Sequence, residues 1–207
     1  MQAVAPDLWR WTTPHPVWRP GMDGPGGWGR DVASIALRTP HGVVLFDPLV
    51  ANDWQPLDAV ARAQHVAVIL TAPWHQRSAA EIAKRYGASV FVHQSGREDI
   101  SCPDVQTMTA GEVIPGVEVL QVAGADDGEV VVWLPAVRAL VSAEVLTGSD
   151  SGLRIAASPS LLCLGELWTW VTGLLDLPIE LVLPAHGPPI LHGGRDAIAT
   201  ALTRPPW

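Results

Sequence analysis

The sequence predicts an α/β fold, in which helices pack on β-sheets. A short apolar run, Val66–Leu70, is followed by a helical pattern over Ser78–Tyr86 and by a second apolar run, Ser89–His93. Such alternation is typical of parallel strands joined by right-handed crossovers. A content of 48% hydrophobic and 16% charged residues indicates a folded globular chain. The length of 207 residues fits a single domain, 1–207.

The net charge and the cysteine content narrow the possible partners. A net charge of −8 argues against a nucleic-acid or anionic-membrane surface. No apolar run is long enough to cross a bilayer, and the N-terminus lacks the pattern of a signal peptide. Cys102 and Cys163 are too few for a disulfide framework. We therefore expect a cytoplasmic protein without a nucleic-acid or membrane partner, and a homo-oligomer stays open.

The first third of the chain predicts strands around one long loop. Asp7–Thr13 alternates enough to form an edge strand. Pro14–Gly29 is rich in Pro and Gly, which excludes both a helix and a ladder strand, and it carries Trp18 and Trp28. Two interpretations stay open: the tryptophans patch the core, or the loop is a flap over a pocket. Further elements follow: strands Asp31–Thr39 and Val43–Pro48, then a short helix, Pro56–Gln64.

The second half predicts three strands, a long helix, a last strand and a last helix. Ser158-Pro159 is a favourable start for the long helix. Its apolar stripe is interpreted as core: Leu161, Leu164, Trp168, Val171 and Leu175. The predicted elements are strands Val117–Val122, Glu129–Leu134 and Ala139–Val145, helix Leu161–Leu175, strand Ile179–Leu183 and helix Asp196–Leu202.

The turn between Val66–Leu70 and the next helix is the candidate site. Strands that end before a helix N-terminus commonly carry the chemistry of α/β proteins. Ser78-Ala79-Ala80-Glu81 has the form of a capping box, and Gly87 is placed to end the helix. The turn itself is polar or aromatic, with Trp74, His75, Gln76 and Arg77 in sequence.

This turn, TAPWHQR, resembles the Thr-His-x-His-x-Asp-His turn of the metallo-β-lactamase superfamily. The resemblance extends over nearly the whole chain, because further segments match the family in order. It implies a four-layer αββα sandwich: two mixed β-sheets packed face to face, with helices outside and the site at one edge. The further segments are Ala123–Gly128 (AGADDG), Val141–Leu146 (VSAEVL), Val182–Pro189 (VLPAHGPP) and Gly193–Ile198 (GGRDAI).

The resemblance also implies that most family metal ligands are replaced. Glu144 stands where the family has an Asp between two metal ions, and His186 is retained as a ligand type. Asp47 matches an Asp that supports the metal site from behind. The leading hypothesis is a degenerate centre without ordinary two-metal hydrolase activity or cofactor, whose cleft binds an unknown small molecule or a partner. The positions that have lost the family ligand are Ala72, Trp74, Gln76, Arg77 and Ala125.

Two alternatives stay open beside it. His75, Glu144 and His186 could rebuild a site for one zinc or other divalent ion, or perform metal-free acid–base chemistry. His75 is one residue out of register, so its side chain is expected to leave the turn in a different direction. Asp126 and Asp127 suit either a rebuilt site or an ordinary turn before Gly128. The third hypothesis, a structural or interaction protein, uses none of these groups.

Three structural predictions follow. Val66–Leu70 and Ile179–Leu183 are expected to be interior strands, with Ala123–Gly128, Glu144 and His186 near the Thr71–Ser78 turn at one edge. Trp18 or Trp28 is expected to contact the rim of the cleft. Without a metal ion, Glu144 would either take up a proton or find a cation. Arg77 is predicted to be that cation, paired with Glu144 at about 2.7–2.9 Å, and the alternative that Arg77 points into solvent stays open.

Overall fold

A computed structural model describes residues 1–23, 27–62, 64–102, 104–125, 128–155 and 163–206. The predicted site residues Asp126 and Asp127 and the predicted helix start at Ser158-Pro159 lie outside these ranges. Within them the strands are β1 (Gln2–Ala5), β2 (Leu8–Pro14), β3 (Asp31–Thr39), β4 (Gly42–Phe46), β5 (Val66–Ile69), β6 (Ser89–His93), β7 (Val105–Met108), β8 (Gly111–Ile114), β9 (Val117–Gln121), β10 (Val130–Leu134), β11 (Ala139–Ser142), β12 (Leu146–Ser149), β13 (Gly152–Ile155) and β14 (Leu181–Pro184). The α-helices are α1 (Gln55–Ala61), α2 (Ala79–Tyr86), α3 (Leu164–Gly173) and α4 (Gly194–Leu202).

The strands form two large mixed sheets and a hairpin. The first sheet runs β1-β2-β3-β4-β5-β6-β7, antiparallel up to β4 and parallel from β4 onward. The second runs β14-β11-β10-β9-β8, and in it only β11 and β14 are parallel. The hairpin is β12–β13.

The predicted four-layer αββα sandwich is confirmed. Phe46 and Ile69 of the first sheet pack against Val132 and Leu183 of the second in one buried cluster. On the outer faces, α1 and α2 cover the first sheet, and α3 and α4 cover the second. Central strands are therefore buried on both faces, which explains why they appear in the sequence as continuous apolar runs.

The helix after the candidate turn is confirmed, but its predicted cap is wrong. The backbone of Gly87 at the C-terminus has φ 65°, the left-handed conformation that glycine adopts without steric cost. Ser78 precedes the first turn of α2 but makes no side-chain cap bond. Its hydroxyl instead accepts the backbone N–H of Val50 at 3.1 Å, so it ties the loop after β4 to the candidate turn.

Two strand positions differ from the prediction. The strand predicted as an edge, Asp7–Thr13, is β2, and it lies between β3 and an unpredicted outer strand, β1. The last strand, β14, was expected inside the sheet but ends the ladder order. It is still buried, because Leu181 and Leu183 pack in the core between the sheets and Val182 packs beneath α3 and α4. On its open side, Val182 exchanges both of its backbone hydrogen bonds with Ile190. An apolar sequence therefore predicts that a strand is buried, but not whether it lies inside the sheet or at its edge.

The predicted core stripe of the long helix is correct only in part. Val171 is buried, and Trp168 and Leu175 pack against the same core cluster. Leu164 is 44% exposed, because α3 begins there and its buried face passes through Leu167. Leu161 lies outside the described residues.

No helix in the described ranges is both long enough and apolar enough to cross a membrane. Neither Cys102 nor Cys163 forms a disulfide bond within the described residues.

Asp58 joins α1 to α2 and makes a first testable prediction. Its carboxylate accepts hydrogen bonds from Arg85 at 2.7 and 3.0 Å and from the Tyr86 hydroxyl at 2.7 Å. The bonds from Arg85 and then Tyr86 lower the pKa of Asp58 from its usual 3.8 to about 2. Because the folded pKa is the lower one, this stabilisation is present above the unfolded pKa and is lost as pH falls through about 2. The Tm difference between wild type and Asp58→Asn should therefore be constant above about pH 5 and shrink at lower pH.

The Arg85→Met variant is the control for this prediction, because it removes the donor and keeps the acid. Its Tm difference from wild type should shrink over the same pH range. A difference that persists undiminished down to about pH 2 in the Asp58→Asn comparison would contradict the assignment.

Candidate functional site

The turn after β5 directs His75 into the molecule. Residues Pro73–His75 form one turn of 3-10 helix, which the His75 N–H closes onto the Ala72 carbonyl at 3.0 Å. The tighter 3-10 winding rotates the following side chain relative to an extended turn. His75 is consequently buried and points toward Glu144. The expectation that its displaced register would direct it elsewhere is wrong.

Glu144 and His186 reach the same place from the second sheet. Glu144 follows β11 and His186 follows β14, and these strands are parallel neighbours whose ends lie side by side. The Oε1 atom of Glu144 lies 3.1 Å from Nε2 of His75 and 3.1 Å from Nε2 of His186. One ligand atom from each residue falls within 4.8 Å of the other two. The predicted convergence of the turn, Glu144 and His186 at one edge is therefore confirmed.

Asp47 lies behind His75 and fixes its orientation. Its Oδ2 atom is 2.9 Å from Nδ1 of His75, and its Oδ1 atom accepts the Thr71 N–H at 2.8 Å. The Thr71 hydroxyl donates to the same carboxylate. Because the Asp47 carboxylate accepts at Nδ1, one imidazole proton stays on that atom. In the protonated ring a second proton on Nε2 donates to Glu144, whereas in the neutral ring Nε2 carries only a lone pair.

The charges in this cluster stabilise one another. Burial alone would raise the pKa of Glu144, but hydrogen bonds from His186 and His75 hold it well below the usual value. Burial, together with Arg77, acts to lower the pKa of His75. The Asp47 charge and the hydrogen bonds to Asp47 and Glu144 outweigh this, so the pKa of His75 is raised. The centre therefore favours an ionised Glu144 facing two imidazoles.

The predicted ion pair between Arg77 and Glu144 is wrong. The Nη1 atom of Arg77 donates to the carbonyl oxygens of Ala33 at 2.6 Å and of Asp47 at 2.7 Å. The Arg77 backbone has φ 42°, a left-handed conformation that directs the side chain toward the ends of β3 and β4. Glu144 needs no guanidinium, because two imidazoles already reach its carboxylate.

Trp74 and Gln76 leave the turn in opposite directions. Trp74 is 47% exposed, and its indole N–H lies 3.4 Å from Oε1 of Glu144 at the rim of the cluster. Gln76 points away: its amide donates to the Asp99 carbonyl at 2.8 Å and accepts from Ser101. Gln76 therefore anchors the segment after β6 and is not part of the cluster.

The N-terminal segment covers the His186 side of the cluster. The Trp28 ring lies 5.8 Å from the His186 ring, which confirms the predicted contact with the rim. His15 packs edge-on against Trp28, with the ring centroids 4.9 Å apart. The Trp18 indole N–H donates to the Trp28 carbonyl at 3.1 Å, so Trp18 supports the segment from outside. A binding role for these tryptophans stays a prediction.

Sequence reasoning missed two residues near the cluster. His15 is one of them; its only signal was its place in the same Pro/Gly-rich loop as the tryptophans. The other is Glu129, a buried carboxylate whose Oε1 accepts the backbone N–H groups of Glu144 and Val145, each at 2.8 Å. Burial raises the pKa of Glu129 to about 7. Its place at the start of an apolar run resembled an ordinary strand boundary.

The three donors fit a divalent metal ion. Two imidazole nitrogens and one carboxylate oxygen are a ligand set that catalytic zinc uses, with one position left open. Zinc bonds of about 2.0–2.1 Å at tetrahedral angles place ligand atoms roughly 3.3 Å apart, close to the 3.1 Å separations of Glu144 from each of the two imidazoles. Asp47 on Nδ1 of His75 is the carboxylate–imidazole arrangement that orients metal ligands. His186 lacks this support, because its Nδ1 has no partner among the described residues.

Comparison with known proteins gives one sequence family and one fold. A family model described as "Metallo-beta-lactamase superfamily" matches residues 6–198. No curated protein matches.

Among solved structures, the fold is similar to a metallo-beta-lactamase family protein from Thermus thermophilus, with 16% identity and TM-score 0.66, over 97% of this chain and 80% of that chain. It is also similar to a metallo beta lactamase from Erythrobacter litoralis, with 15% identity and TM-score 0.71, over 98% of this chain and 93% of that chain. A third, from Hirschia baltica, has 16% identity and TM-score 0.66, over 100% of this chain and 98% of that chain. At such identities the structural likeness shows the fold alone.

Proposed function

The chain belongs to the metallo-β-lactamase superfamily, and from this premise we propose that it is a hydrolase with a non-standard centre that holds one divalent metal ion. His75, Glu144 and His186 would bind the ion, with zinc as the first candidate. One observation carries the proposal: the ligand atoms of these three residues lie within 4.8 Å of one another. The substrate would be a small molecule bound in the cleft beside them.

The replaced positions support a single ion in place of the ordinary two. Ala72 and Ala125 offer no side-chain ligand, and the indole of Trp74 is a donor only. The amide of Gln76 is engaged with Asp99 and Ser101. Within the described ranges, His75, Glu144 and His186 are the one group of three or more His, Cys, Asp or Glu side chains that could hold a metal ion.

Each protein group has a definite part in this proposal. Asp47 keeps the proton of His75 on Nδ1 and leaves Nε2 free to bind. Glu144 supplies the negative charge of the ligand set. A divalent ion held there would polarise a substrate oxygen and acidify water next to it. Trp74 and Trp28 border the centre on the Glu144 and His186 sides, so they would confine the substrate and exclude bulk water.

A second candidate is a cleft without metal that binds a small molecule or performs acid–base chemistry. The observation that favours it is that Glu144 lies within hydrogen-bonding distance of three side-chain N–H donors, on His75, His186 and Trp74. A carboxylate with three donors is well satisfied without a cation. The raised pKa of His75 favours the imidazolium that such an arrangement needs.

Metal content separates the two candidates. Protein purified without a metal-affinity tag should contain one equivalent of zinc, iron or manganese per chain, measured together by elemental analysis. His186→Ala should lose this metal, because two remaining donors hold zinc weakly. His192→Ala is the matched control: its side chain is 93% exposed on the following loop, and its metal content should equal wild type.

Activity is then tested with p-nitrophenyl acetate and bis(p-nitrophenyl) phosphate as probes. Hydrolysis should disappear on chelation and return with one equivalent of metal. Two equivalents per chain would contradict the single-ion proposal. No metal together with hydrolysis that resists chelation would favour the second candidate.

A further inference from the structure

We propose that Glu129 is a positioning residue of the centre, whose carboxylate holds the turn that carries Glu144. Its predicted effect on metal affinity rests on the proposed function, whereas its effect on the geometry of Glu144 does not. Glu129 makes no hydrogen bond to the side chain of His75, Glu144 or His186. It would act on Glu144 through the peptide backbone.

Glu129 makes two short hydrogen bonds to the turn that carries Glu144. The Glu129 side chain is only 4% exposed, and its Oε1 atom accepts the N–H groups of Glu144 and Val145, both at 2.8 Å. These are successive peptide groups just after the end of β11. Two adjacent N–H groups that converge on one oxygen fix the tilt of the peptide between them. The direction in which the Glu144 side chain leaves the backbone is fixed with it.

The backbone on both sides of Glu129 is attached to the turn that carries His75. The N–H of Val130, next to Glu129, donates to the Thr71 carbonyl at 2.8 Å. On the opposite side, Gly128 packs so closely on Pro73 that a Cβ atom there would lie 2.7 Å from the proline ring. Glu129 is thus held at a fixed distance from the first-sheet turn while it binds the second-sheet turn. It links the two halves of the centre.

The other hydrogen bonds of the turn that carries Glu144 cannot replace those made by Glu129. Thr147 donates its hydroxyl to the Glu144 carbonyl at 3.0 Å, and Ser142 accepts the Leu146 N–H at 3.1 Å. Both act on the far side of the turn and leave the Glu144 N–H without a partner if Glu129 is changed. A buried N–H without an acceptor is costly, so the turn would shift to find one.

Two substitutions separate the acceptor from the shape of the side chain. Glu129→Gln keeps an amide oxygen that can accept both N–H groups, and Glu129→Met keeps a similar volume without a good acceptor. Glu112→Met is the matched control: Glu112 also accepts a backbone N–H, that of Gly116 at 2.8 Å, but on the exposed β8–β9 hairpin.

Zinc affinity and the imidazole N–H signals of the metal-free protein are the two measurements. Affinity is measured by competition with a chromophoric chelator, and the signals by proton NMR. Glu129→Met should weaken zinc binding about 10–100-fold, as expected when support of a metal ligand is lost. It should also abolish the imidazole N–H signals that His75 and His186 give through their hydrogen bonds to Glu144, whereas the Nδ1–H signal of His75, bonded to Asp47, should remain. Glu129→Gln and Glu112→Met should keep both properties near wild type.

The outcomes are distinct. Wild-type affinity and intact imidazole signals in Glu129→Met would overturn the proposal. Loss of the signals in Glu129→Gln would overturn it as well, since an acceptor is still present, and this variant decides alone if Glu129→Met does not fold. If the wild type binds no zinc while Glu129→Met loses the imidazole signals, the positioning role stands and the proposed function fails.

Discussion

Glu144→Gln is expected to lower the affinity of the centre for zinc by more than about 100-fold, beyond the 10–100-fold typical of residues that only support a ligand. The change removes the single negative charge among three donors and leaves two neutral imidazoles with a weakly coordinating amide. Chelator competition measures the affinity, and elemental analysis of the purified variant should show a loss of bound metal. The effect is large because Glu144 lies between the two imidazoles, 3.1 Å from each.

Glu180→Gln provides a matched control for this experiment. Glu180 is a partly exposed carboxylate just before β14, with Arg138 and His192 as its neighbours. It should keep wild-type affinity. A Glu144→Gln variant that binds zinc within about tenfold of wild type would contradict the assignment of Glu144 as a ligand. If no variant alters metal content, the centre does not use these residues for metal.

The layered fold could be predicted because its central strands are buried on both faces. The observed strands β3, β5 and β6 agree with predicted apolar runs to within a residue. The four-residue edge strands β1, β7 and β8 left no such signal. In β7 only Met108 is buried and in β8 no residue is, so neither shows a continuous apolar run or a long alternation. Sequence pattern therefore identified the buried strands of the two large sheets, including the outermost strand β14, and missed the exposed edge strands β1, β7 and β8.

The identity of the site residues could be predicted, but their partners could not. Glu144 and His186 stand at strand ends, and parallel neighbours bring strand ends together. The direction of His75 depends on a 3-10 turn, and that of Arg77 on a left-handed backbone. Neither conformation is required by the residue types, because both side chains tolerate ordinary helical or extended geometry. The backbone conformation of one short turn therefore determined that His75, and not Arg77, reaches Glu144.

The second large effect is expected for Arg77→Met, which should lower the free energy of unfolding by about 3 kcal/mol. Arg77 donates to the carbonyl oxygens of Ala33 and Asp47 at the ends of β3 and β4. Each hydrogen bond from a charged donor contributes about 1.5–3 kcal/mol, and methionine leaves both carbonyls without this donor. Chemical denaturation of wild type and variant measures the difference. Arg62→Met, at an exposed position, should change stability by less than about 0.5 kcal/mol.

A glycine at the same position separates lost hydrogen bonds from backbone strain. The φ of 42° at Arg77 is unfavourable for any residue with a Cβ atom, by about 1–2 kcal/mol, and glycine removes this strain. Arg77→Gly should therefore be destabilised, but by less than Arg77→Met, since the hydrogen bonds are lost in both. A glycine variant more stable than wild type would mean that strain outweighs the two bonds. In that case Arg77 would not be the residue that holds the ends of β3 and β4 in place.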